Sequence, residues 1–225
     1  MAKRLIDILV SLIAIVATCP LWLVALIGIK LTSPGPVFYP AKRVGRGGQV
    51  FTMHKFRTMH WQPQGNGPAI TGHNDARIFG FGSFLRKTKI DELPQFIDVL
   101  SGHLSIVGPR PEDPKIVELH YTPWMKETLS IRPGITSPGA LWGYTKMDAF
   151  LEGADPERAY VEKVLPYKLA LEYVYMKRMN AIYDLVLMWR TALVIIGIVL
   201  GKKDFEDQPE AAEIRQVLPT LSLGT

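Results

Sequence analysis

The sequence contains a single cysteine, Cys19, among 225 residues. One thiol excludes a disulfide framework and a cysteine-rich zinc site, and it fits a body that faces a reducing cytoplasm. The five histidines include no His-Glu-x-x-His pair, which disfavours a zincin-type metal site. The sequence also has no internal repeat.

Acidic residues are fewer than basic ones, 21 against 26, which gives a net charge of +5 and a pI near 9.3. This balance favours anionic partners, namely nucleic acid, acidic lipid or phosphorylated small molecules. Nucleic acid is the weakest of the three, because the cations surround carboxylates instead of alternating with aromatic side chains. A hydrophobic content of 48% at this length predicts one compact domain with an appendage.

Polar residues are scarce between Leu5 and Ile29. The run can cross a bilayer as a helix, and it is too long for a buried core helix or a signal peptide. Pro20 near its middle is expected to kink that helix. Cations on both flanks argue against a single crossing, which would place one cluster outside the cell. On the residues alone, a straight span and a re-entrant helix nevertheless both remain as alternatives. The flanking cations are Lys3, Arg4, Lys30, Lys42, Arg43 and Arg46.

Residues 86–111 are the stretch in which we expect the chemistry. Three cations lead into the adjacent carboxylates Asp91 and Glu92, and Pro94 then predicts the first turn of a helix over residues 93–100. The positive end of that helix, beside a basic cluster, suits a phosphate or a metal–phosphate pair. The alternative is that Asp91 caps the helix and Glu92 matches its dipole. The three cations are Arg86, Lys87 and Lys89.

The helix over residues 93–100 also predicts a core face. Its apolar side chains form one stripe, which is expected to pack inward. Asp98 lies off that stripe and is expected to face solvent. The stripe consists of Leu93, Phe96, Ile97 and Leu100.

Two further sets of cations are candidates for anion binding. Lys55 and Arg57 fall on one face of an extended segment, where they suit an anion or keep an edge strand from pairing. Prolines stiffen the backbone at Pro109-Arg110-Pro111 and next to Arg132. A stiff backbone presents each guanidinium for bidentate contact with phosphate. Two such elements near a carboxylate pair favour a cradle for a polyanion.

The remaining segments predict a small body with a β-hairpin. Short strands are expected at residues 37–39 and 49–53, around a basic glycine-rich loop at 42–48. That loop lacks Gly-Lys-Ser/Thr and a following helix, so a solvated hairpin is favoured over a phosphate loop.

The second half of the chain predicts mainly helices. The apolar segment at 185–200 is expected to be an interfacial or packed helix, because Asp184 and Arg190 are charged. A second membrane span is the alternative. Further helices are expected at residues 79–89, 115–129 and 155–164, a mobile loop at 60–75, and a loose polar tail from residue 202.

Five motifs follow one another in a fixed order. They are the proline-broken apolar segment, Lys-Phe-Arg-Thr-Met (55–59), Leu-Arg-Lys-Thr-Lys-Ile-Asp-Glu-Leu-Pro-Gln (85–95), Leu-Ser-Ile-Val-Gly-Pro-Arg-Pro (104–111) and Arg-Pro-Gly-Ile-Thr (132–136). Over residues 3–200 the chain resembles the bacterial sugar transferases, which are small monotopic phosphoglycosyl transferases. The resemblance implies an α+β, mostly helical fold with a short β-hairpin and interfacial amphipathic helices. The implied divisions are a re-entrant membrane helix (1–32), a cytoplasmic catalytic domain (33–201) and a polar tail (202–225).

The resemblance also implies an activity at the cytoplasmic face of the bacterial inner membrane. A sugar-1-phosphate would move from a nucleotide diphospho-sugar, usually UDP-linked, to polyprenol phosphate, with Mg²⁺ as cofactor, and begin a surface glycan. Asp91 would be the nucleophile, and Glu92 would bind Mg²⁺ with it or manage the protonation of the acceptor. Lys55 and Arg86 would hold the diphosphate, while Pro109-Arg110-Pro111 would frame the nucleotide.

One motif departs from the family pattern. Arg-Pro-Gly-Ile-Thr is commonly followed by Gly-Trp-Ala-Gln-Val and then Asn-Gly-Arg, whereas Tyr144 stands here in place of the final basic residue. Arg132 and Lys146 are candidates to supply that charge. A Mg²⁺-dependent hydrolase of nucleotide sugars or polyprenyl diphosphates and a non-catalytic scaffold on anionic lipid remain as alternatives. The sugar, the base, the glycan and a homodimer are left open.

Overall fold

The computed structural model describes residues 2–62, 70, 75–151 and 155–218. It is mostly helical with two small two-stranded sheets, which confirms the α+β class. The helices are α1 (Ala2–Ala17), α2 (Cys19–Thr32), α3 (Gly80–Lys87), α4 (Gln95–Leu100), α5 (Pro114–His120), α6 (Pro123–Glu127), α7 (Pro138–Lys146), α8 (Pro156–Ala159), α9 (Leu165–Arg178), α10 (Ala181–Val199) and α11 (Ile214–Val217). The strands are β1 (Phe38–Val44), β2 (Val50–Phe56), β3 (Ser105–Val107) and β4 (Gly134–Thr136). Most of the predicted mobile loop, residues 60–75, lies outside the described residues.

The apolar N-terminal segment forms α1 and α2, which are bent by 60° at a break around Thr18. Pro20 occupies the first turn of α2, where its missing N–H leaves no intrahelical hydrogen bond unmade. The predicted kink is therefore confirmed. The two helices together are long and apolar enough to cross a membrane, either as a broken span or as a re-entrant loop.

The start of α1 is attached to the body by its charged residues. Asp7 is buried and accepts hydrogen bonds from the Ser105 hydroxyl and from the backbone N–H of Ile106. Lys3 forms an ion pair with Asp184 of α10 at 2.5 Å. Arg4 donates to two carbonyls at the C-terminal end of α4. These polar contacts fix where α1 leaves the body.

The end of α2 is attached through Arg57, which follows β2. Arg57 is 2% exposed, and each of its three nitrogens donates to the protein itself. The acceptors are the hydroxyl and carbonyl of Ser33 and the carbonyls of Pro36 and Met59. Arg57 therefore joins the exit of α2 to the hairpin.

β1 and β2 form the predicted hairpin, with Phe38 opposite Phe56 and Val44 opposite Val50. The strands are longer than predicted, so Lys42 and Arg43, which were expected in the loop, belong to β1. The connection is correspondingly short. It turns through consecutive positive φ angles of 69° and 79° at Gly47 and Gly48, a conformation that disfavours side chains with a Cβ. The predicted glycine-rich loop is thus a tight turn.

β3 and β4 are parallel and bring together the two proline-stiffened segments. Their backbones approach so closely at Gly108 and Gly134 that a Cβ on Gly134 would lie 2.1 Å from the Gly108 nitrogen. The Gly134 N–H donates to the Pro109 carbonyl at 3.0 Å. This contact determines the position of the Pro109-Arg110-Pro111 segment.

α9 is the central helix, and nine of its fourteen residues are buried. Two of these are charged and require partners. Lys168 pairs with Glu112 at 2.8 Å, and Glu172 accepts a hydrogen bond from the Ser137 hydroxyl at 2.6 Å. The predicted helix at 155–164 is found as α8 followed by a π-helical turn, Tyr160–Val164.

The predicted surface helix at 115–129 is instead two short helices, α5 and α6. Tyr121 ends the first with extended backbone angles, and Pro123 begins the second, because proline suits only the first turn of a helix. Tyr121 and Met125 are buried in the core.

The core face predicted for residues 93–100 is confirmed for Leu93 and Phe96, which pack against the core, and is wrong for Ile97. The helix begins at Gln95, and its buried side chains are Gln95, Asp98 and Val99, whereas Ile97 is 47% exposed. Asp98, expected in solvent, is 2% exposed and accepts hydrogen bonds from the backbone N–H and ring Nδ1 of His54, at 2.8 and 2.7 Å. α4 is buried through this face because it packs between α1 and β2.

α10 is long and apolar enough to cross a membrane, and most of its apolar surface is exposed. The chain after it folds back. Phe205 lies beside Gly197, and Arg190 binds Glu210 at 2.6 Å. Ile214 reaches the core beside α9. The expectation of a loose tail is therefore wrong for residues 208–214.

Candidate active site

Asp91 and Glu92 lie in one 3₁₀ turn, Ile90–Glu92, that precedes α4. Pro94 caps α4 without a side-chain bond, so the interpretation of Asp91 as a helix cap is wrong. Lys89 opens the turn with a φ of 58°, a left-handed conformation that costs a lysine about 1–2 kcal/mol. Ile90 belongs to the same buried cluster as two residues of α2. The carboxylate pair is thus built directly on the second N-terminal helix.

Glu92 is enclosed by donors. Its Oε1 accepts hydrogen bonds from Arg110 at 2.5 Å and from Lys55 at 3.3 Å, and its Oε2 accepts one from the Tyr144 hydroxyl at 3.2 Å. Burial alone would raise the pKa of Glu92, but Arg110 and Lys55 hold it well below its ordinary value. Glu92 therefore stays charged and fixes two cations and a hydroxyl.

Asp91 is 7% exposed, and its Oδ1 has no hydrogen-bond partner among the described residues. Burial raises the pKa of Asp91, the charge of Glu92 adds to that effect, and Lys55 and Lys89 oppose it. Oδ1 is itself buried, but Asp91 lines the cleft, and a carboxylate without bound donors keeps its lone pairs available. Asp91 is thus the member of the pair that is free to bind or attack a ligand.

The pair opens into a cleft of about 590 Å³, a size typical of small-molecule sites. Basic side chains dominate its walls. The cations are Arg43, Lys55, Arg57, Arg77, Arg86, Lys89 and Lys115, and the acids are Asp91, Glu92, Asp113 and Glu157. The volume of the cleft and its excess of positive charge fit a small polyanion.

Several of these cations are already bound within the protein. Arg43 pairs with Asp113 at 3.1 Å, and Arg77 pairs with Asp75 at 2.5 Å. The nitrogens of Arg57 are occupied by the contacts that hold α2, so its predicted role in anion binding competes with a structural one. Within the described ranges, three cations of the cleft have no carboxylate within 4 Å and no hydrogen-bond acceptor. These are Arg86, Lys89 and Lys115.

Arg110 follows β3 and Arg132 precedes β4, and of the two only Arg110 contacts the carboxylate pair, although it does not line the cleft. It binds Glu92 and also donates to the Ile135 carbonyl at 2.7 Å. Pro109 and Pro111 are buried beside it and shape its backbone. Arg132 lies outside the lining of the cleft, where burial and the charges of Arg4 and Arg46 lower its pKa.

Tyr144 contacts the carboxylate pair, although it does not line the cleft either. Its hydroxyl binds Glu92, and the Lys89 ammonium lies 3.9 Å from the centre of its ring. Lys146 is instead 3.9 Å from Asp207. Arg132 and Lys146, the two candidates to replace the missing basic residue, therefore do not lie beside Tyr144. The cation found beside Tyr144 is Lys89. Lys89 was missed as a site residue, although its place two residues before Asp91 was a signal.

Magnesium was expected from the sequence. The described part of the chain has no group of three metal-ligating side chains. Mg²⁺ commonly binds one or two carboxylates and completes its shell with water and substrate phosphates. Asp91 fits that mode, because it lines the cleft without a bound donor within the described chain, whereas Glu92 would first have to release a donor. The residues thus fit an ion held chiefly by Asp91.

Comparison with known proteins identifies the family of this chain. The family model described as bacterial sugar transferase matches residues 1–197. A UDP-glucose:undecaprenyl-phosphate glucose-1-phosphate transferase of Xanthomonas campestris pv. campestris is 37% identical over 87% of this chain and 39% of its own length. A UDP-N-acetylgalactosamine-undecaprenyl-phosphate N-acetylgalactosaminephosphotransferase of Aeromonas hydrophila is 34% identical over 86% and 43%, respectively. The exopolysaccharide production protein ExoY of Sinorhizobium fredii is 30% identical over 84% and 83%.

The chain spans about two fifths of the length of the first two relatives, and most of the length of the third. The family match covers both carboxylates, the hairpin and all four strands. The chain therefore belongs to the bacterial sugar transferase family.

Proposed function

We propose that this chain transfers a sugar-1-phosphate from a UDP-linked sugar to undecaprenyl phosphate and releases UMP, as the first membrane step of a surface glycan. The names of the first two relatives contain that donor type and that acceptor, and the third is named for exopolysaccharide production. The observation that carries the proposal is Asp91, a carboxylate that lines the cation-rich cleft and whose Oδ1 has no donor among the described residues.

The proposed reaction has two steps. An oxygen of Asp91 attacks the sugar-bearing phosphorus, and the bond from that phosphorus to the UMP oxygen breaks, with its electron pair leaving on UMP. The phosphate oxygen of the lipid then attacks the same phosphorus and breaks its bond to Asp91, which restores the carboxylate. Covalent catalysis of this kind separates a soluble donor from a membrane-bound acceptor.

Electrostatics is the main requirement of both steps, because each joins two anions. Arg110 and Lys55, fixed by Glu92, place two positive charges beside Asp91, and Arg86 and Lys89 are free to meet the phosphates. We assign Glu92 to orienting these cations. Bound Mg²⁺, held by Asp91, would neutralise further phosphate charge.

The N-terminal helices are proposed to enter the membrane and turn back within it. Lys3, Arg4 and Asp7 attach the start of α1 to the body, and Ser33 attaches the end of α2 to the same body through Arg57. A hairpin keeps both attached ends on one side, whereas a broken span would separate them. This supports a monotopic protein on the cytoplasmic face.

α10 is proposed to lie along the membrane surface. If it crossed the bilayer, residues 202–208, which have no regular secondary structure, would have to return through the hydrocarbon to reach Arg190. That return would bury five charges and unpaired backbone groups, at prohibitive cost. The five are Lys202, Lys203, Asp204, Glu206 and Asp207.

The test is UMP release by detergent-purified protein with Mg²⁺, undecaprenyl phosphate and a panel of UDP-sugars. We expect sustained release with a matching sugar and the lipid, and loss of at least about a thousandfold in Asp91→Asn, because the nucleophile is removed. Lipid-independent turnover would favour the hydrolase. Full activity of Asp91→Asn would overturn the covalent mechanism, and a folded but silent wild type would favour the scaffold.

A further inference from the structure

Lys89 is held in an unusual place by two contacts. Apart from glycines, it is the residue with a positive φ in the described chain. Its ammonium lies over the ring of Tyr144, 3.9 Å from the ring centre, and Tyr144 is in turn fixed by its hydrogen bond to Glu92. The turn and the ring together determine where this positive charge lies.

A ring face holds a cation without neutralising it. Lys55, in contrast, shares the carboxylate of Glu92. Within the described residues the Lys89 ammonium makes no hydrogen bond and no ion pair, although it lines the cleft beside Asp91. Arg86 is in the same condition, and both charges act on Asp91. Two uncommitted cations around one nucleophile match two adjacent phosphate groups.

We propose that Lys89 binds the diphosphate of the nucleotide-sugar donor and that Tyr144 is the positioning residue for Lys89. This inference rests on the proposed function, because it takes the donor to be a nucleoside diphospho-sugar. The aromatic ring has two separable roles: its face holds Lys89, and its hydroxyl holds Glu92. Substitutions can therefore divide them.

The test is the affinity of the full-length, detergent-purified protein for UDP, measured by isothermal titration calorimetry. UDP carries both phosphates and has no sugar to transfer. We expect Lys89→Met to weaken UDP binding about tenfold, since one charge-assisted contact is lost, and Lys89→Arg to retain most of it. Lys89→Gly, which accepts the left-handed backbone, gives the same loss without strain. Tyr144→Leu should weaken binding more than Tyr144→Phe, because phenylalanine keeps the ring under Lys89 and loses only the hydroxyl contact with Glu92.

Lys42→Met is the matched control, since Lys42 lies on β1 outside the cleft and donates to Thr52. A second arm uses farnesyl phosphate, a prenyl monophosphate, whose binding should be unchanged in the Lys89 variants. Unchanged UDP affinity in Lys89→Met and Lys89→Gly overturns the inference and leaves the proposed function intact. Loss of farnesyl phosphate binding alone would reassign Lys89 to the acceptor. A folded wild type that does not bind UDP would overturn the proposed function itself.

Discussion

Two adjacent carboxylates differ in role because their partners differ. Glu92 has Arg110, Lys55 and Tyr144, whereas Oδ1 of Asp91 has no donor in the described structure. Burial acts on both, and the contrast in their pKa shifts comes from the cations bound by Glu92. At this scale, reactivity follows from which oxygen is left unbound.

A third buried carboxylate, Glu172, should make stability depend on pH. Burial raises the pKa of Glu172 to about 7, from an ordinary value of 4.5. The folded state then binds the Glu172 proton more tightly than the unfolded state does. Proton binding at Glu172 therefore stabilises the fold fully below pH 4.5, and this stabilisation is lost as the pH rises through 7. We expect Glu172→Gln to raise the free energy of unfolding by about 1–2 kcal/mol at pH 8 and to change it little at pH 4.5.

Thermal unfolding in detergent, followed by intrinsic fluorescence at both pH values, measures this effect. Glu118→Gln on the exposed side of α5 is the control and should not change the unfolding temperature at either pH. A Glu172→Gln variant that is less stable than the wild type at pH 8 would show that the buried charge is compensated.

At the scale of elements, the contact between β3 and β4 holds Arg110 in position. A Cβ at Gly134 would meet Gly108 backbone atoms at 2.1 to 2.7 Å, and backbone cannot move aside as a side chain can. We expect Gly134→Ala to destabilise the fold by about 3 kcal/mol and to lower kcat through displacement of Arg110. Unfolding temperature and UMP release measure the two effects.

Gly143 in α7 provides the matched control. A Cβ there meets no atom within 4 Å in the described structure, so Gly143→Ala should be neutral or slightly stabilising. Equal stability of the two alanine variants would contradict the role assigned to the strand contact.

The sequence predicted those structural features that depend on residues close together in the chain. The kink near Pro20, the hairpin and the carboxylate pair are local and were predicted. Tyr144 and Glu92 are 52 residues apart, so no local pattern could place one hydroxyl on the other. The apolar stripe of α4 was right for Phe96 and wrong for Ile97, because Asp98 takes a buried position by accepting a hydrogen bond from the backbone of β2.

At the scale of the whole molecule, the membrane arrangement can be tested with two engineered cysteines in a Cys19→Ser background. Ala2→Cys lies at the first residue of α1, and Lys202→Cys follows α10. In a monotopic protein both thiols face the cytoplasm, so a membrane-impermeant maleimide should label neither in intact spheroplasts and both after lysis. Labelling of Ala2→Cys from outside would establish a crossing by the first helix pair.

Labelling of Lys202→Cys from outside would establish a crossing by α10 and would contradict its in-plane placement. A cysteine at the exposed Arg46 on the hairpin turn is the control for the body. It should react only after lysis, whichever way the helices run.

The ion pair between Lys3 and Asp184 joins residues 181 positions apart. A ribosome therefore makes Lys3 181 residues before it makes Asp184. The ion pair that joins α1 to α10 therefore cannot form until α10 has been synthesised, and until then the apolar side chains of α1 lack this attachment. If the helix pair enters the membrane as proposed, its apolar side chains can be buried in the bilayer during that interval, so insertion should precede folding of the body.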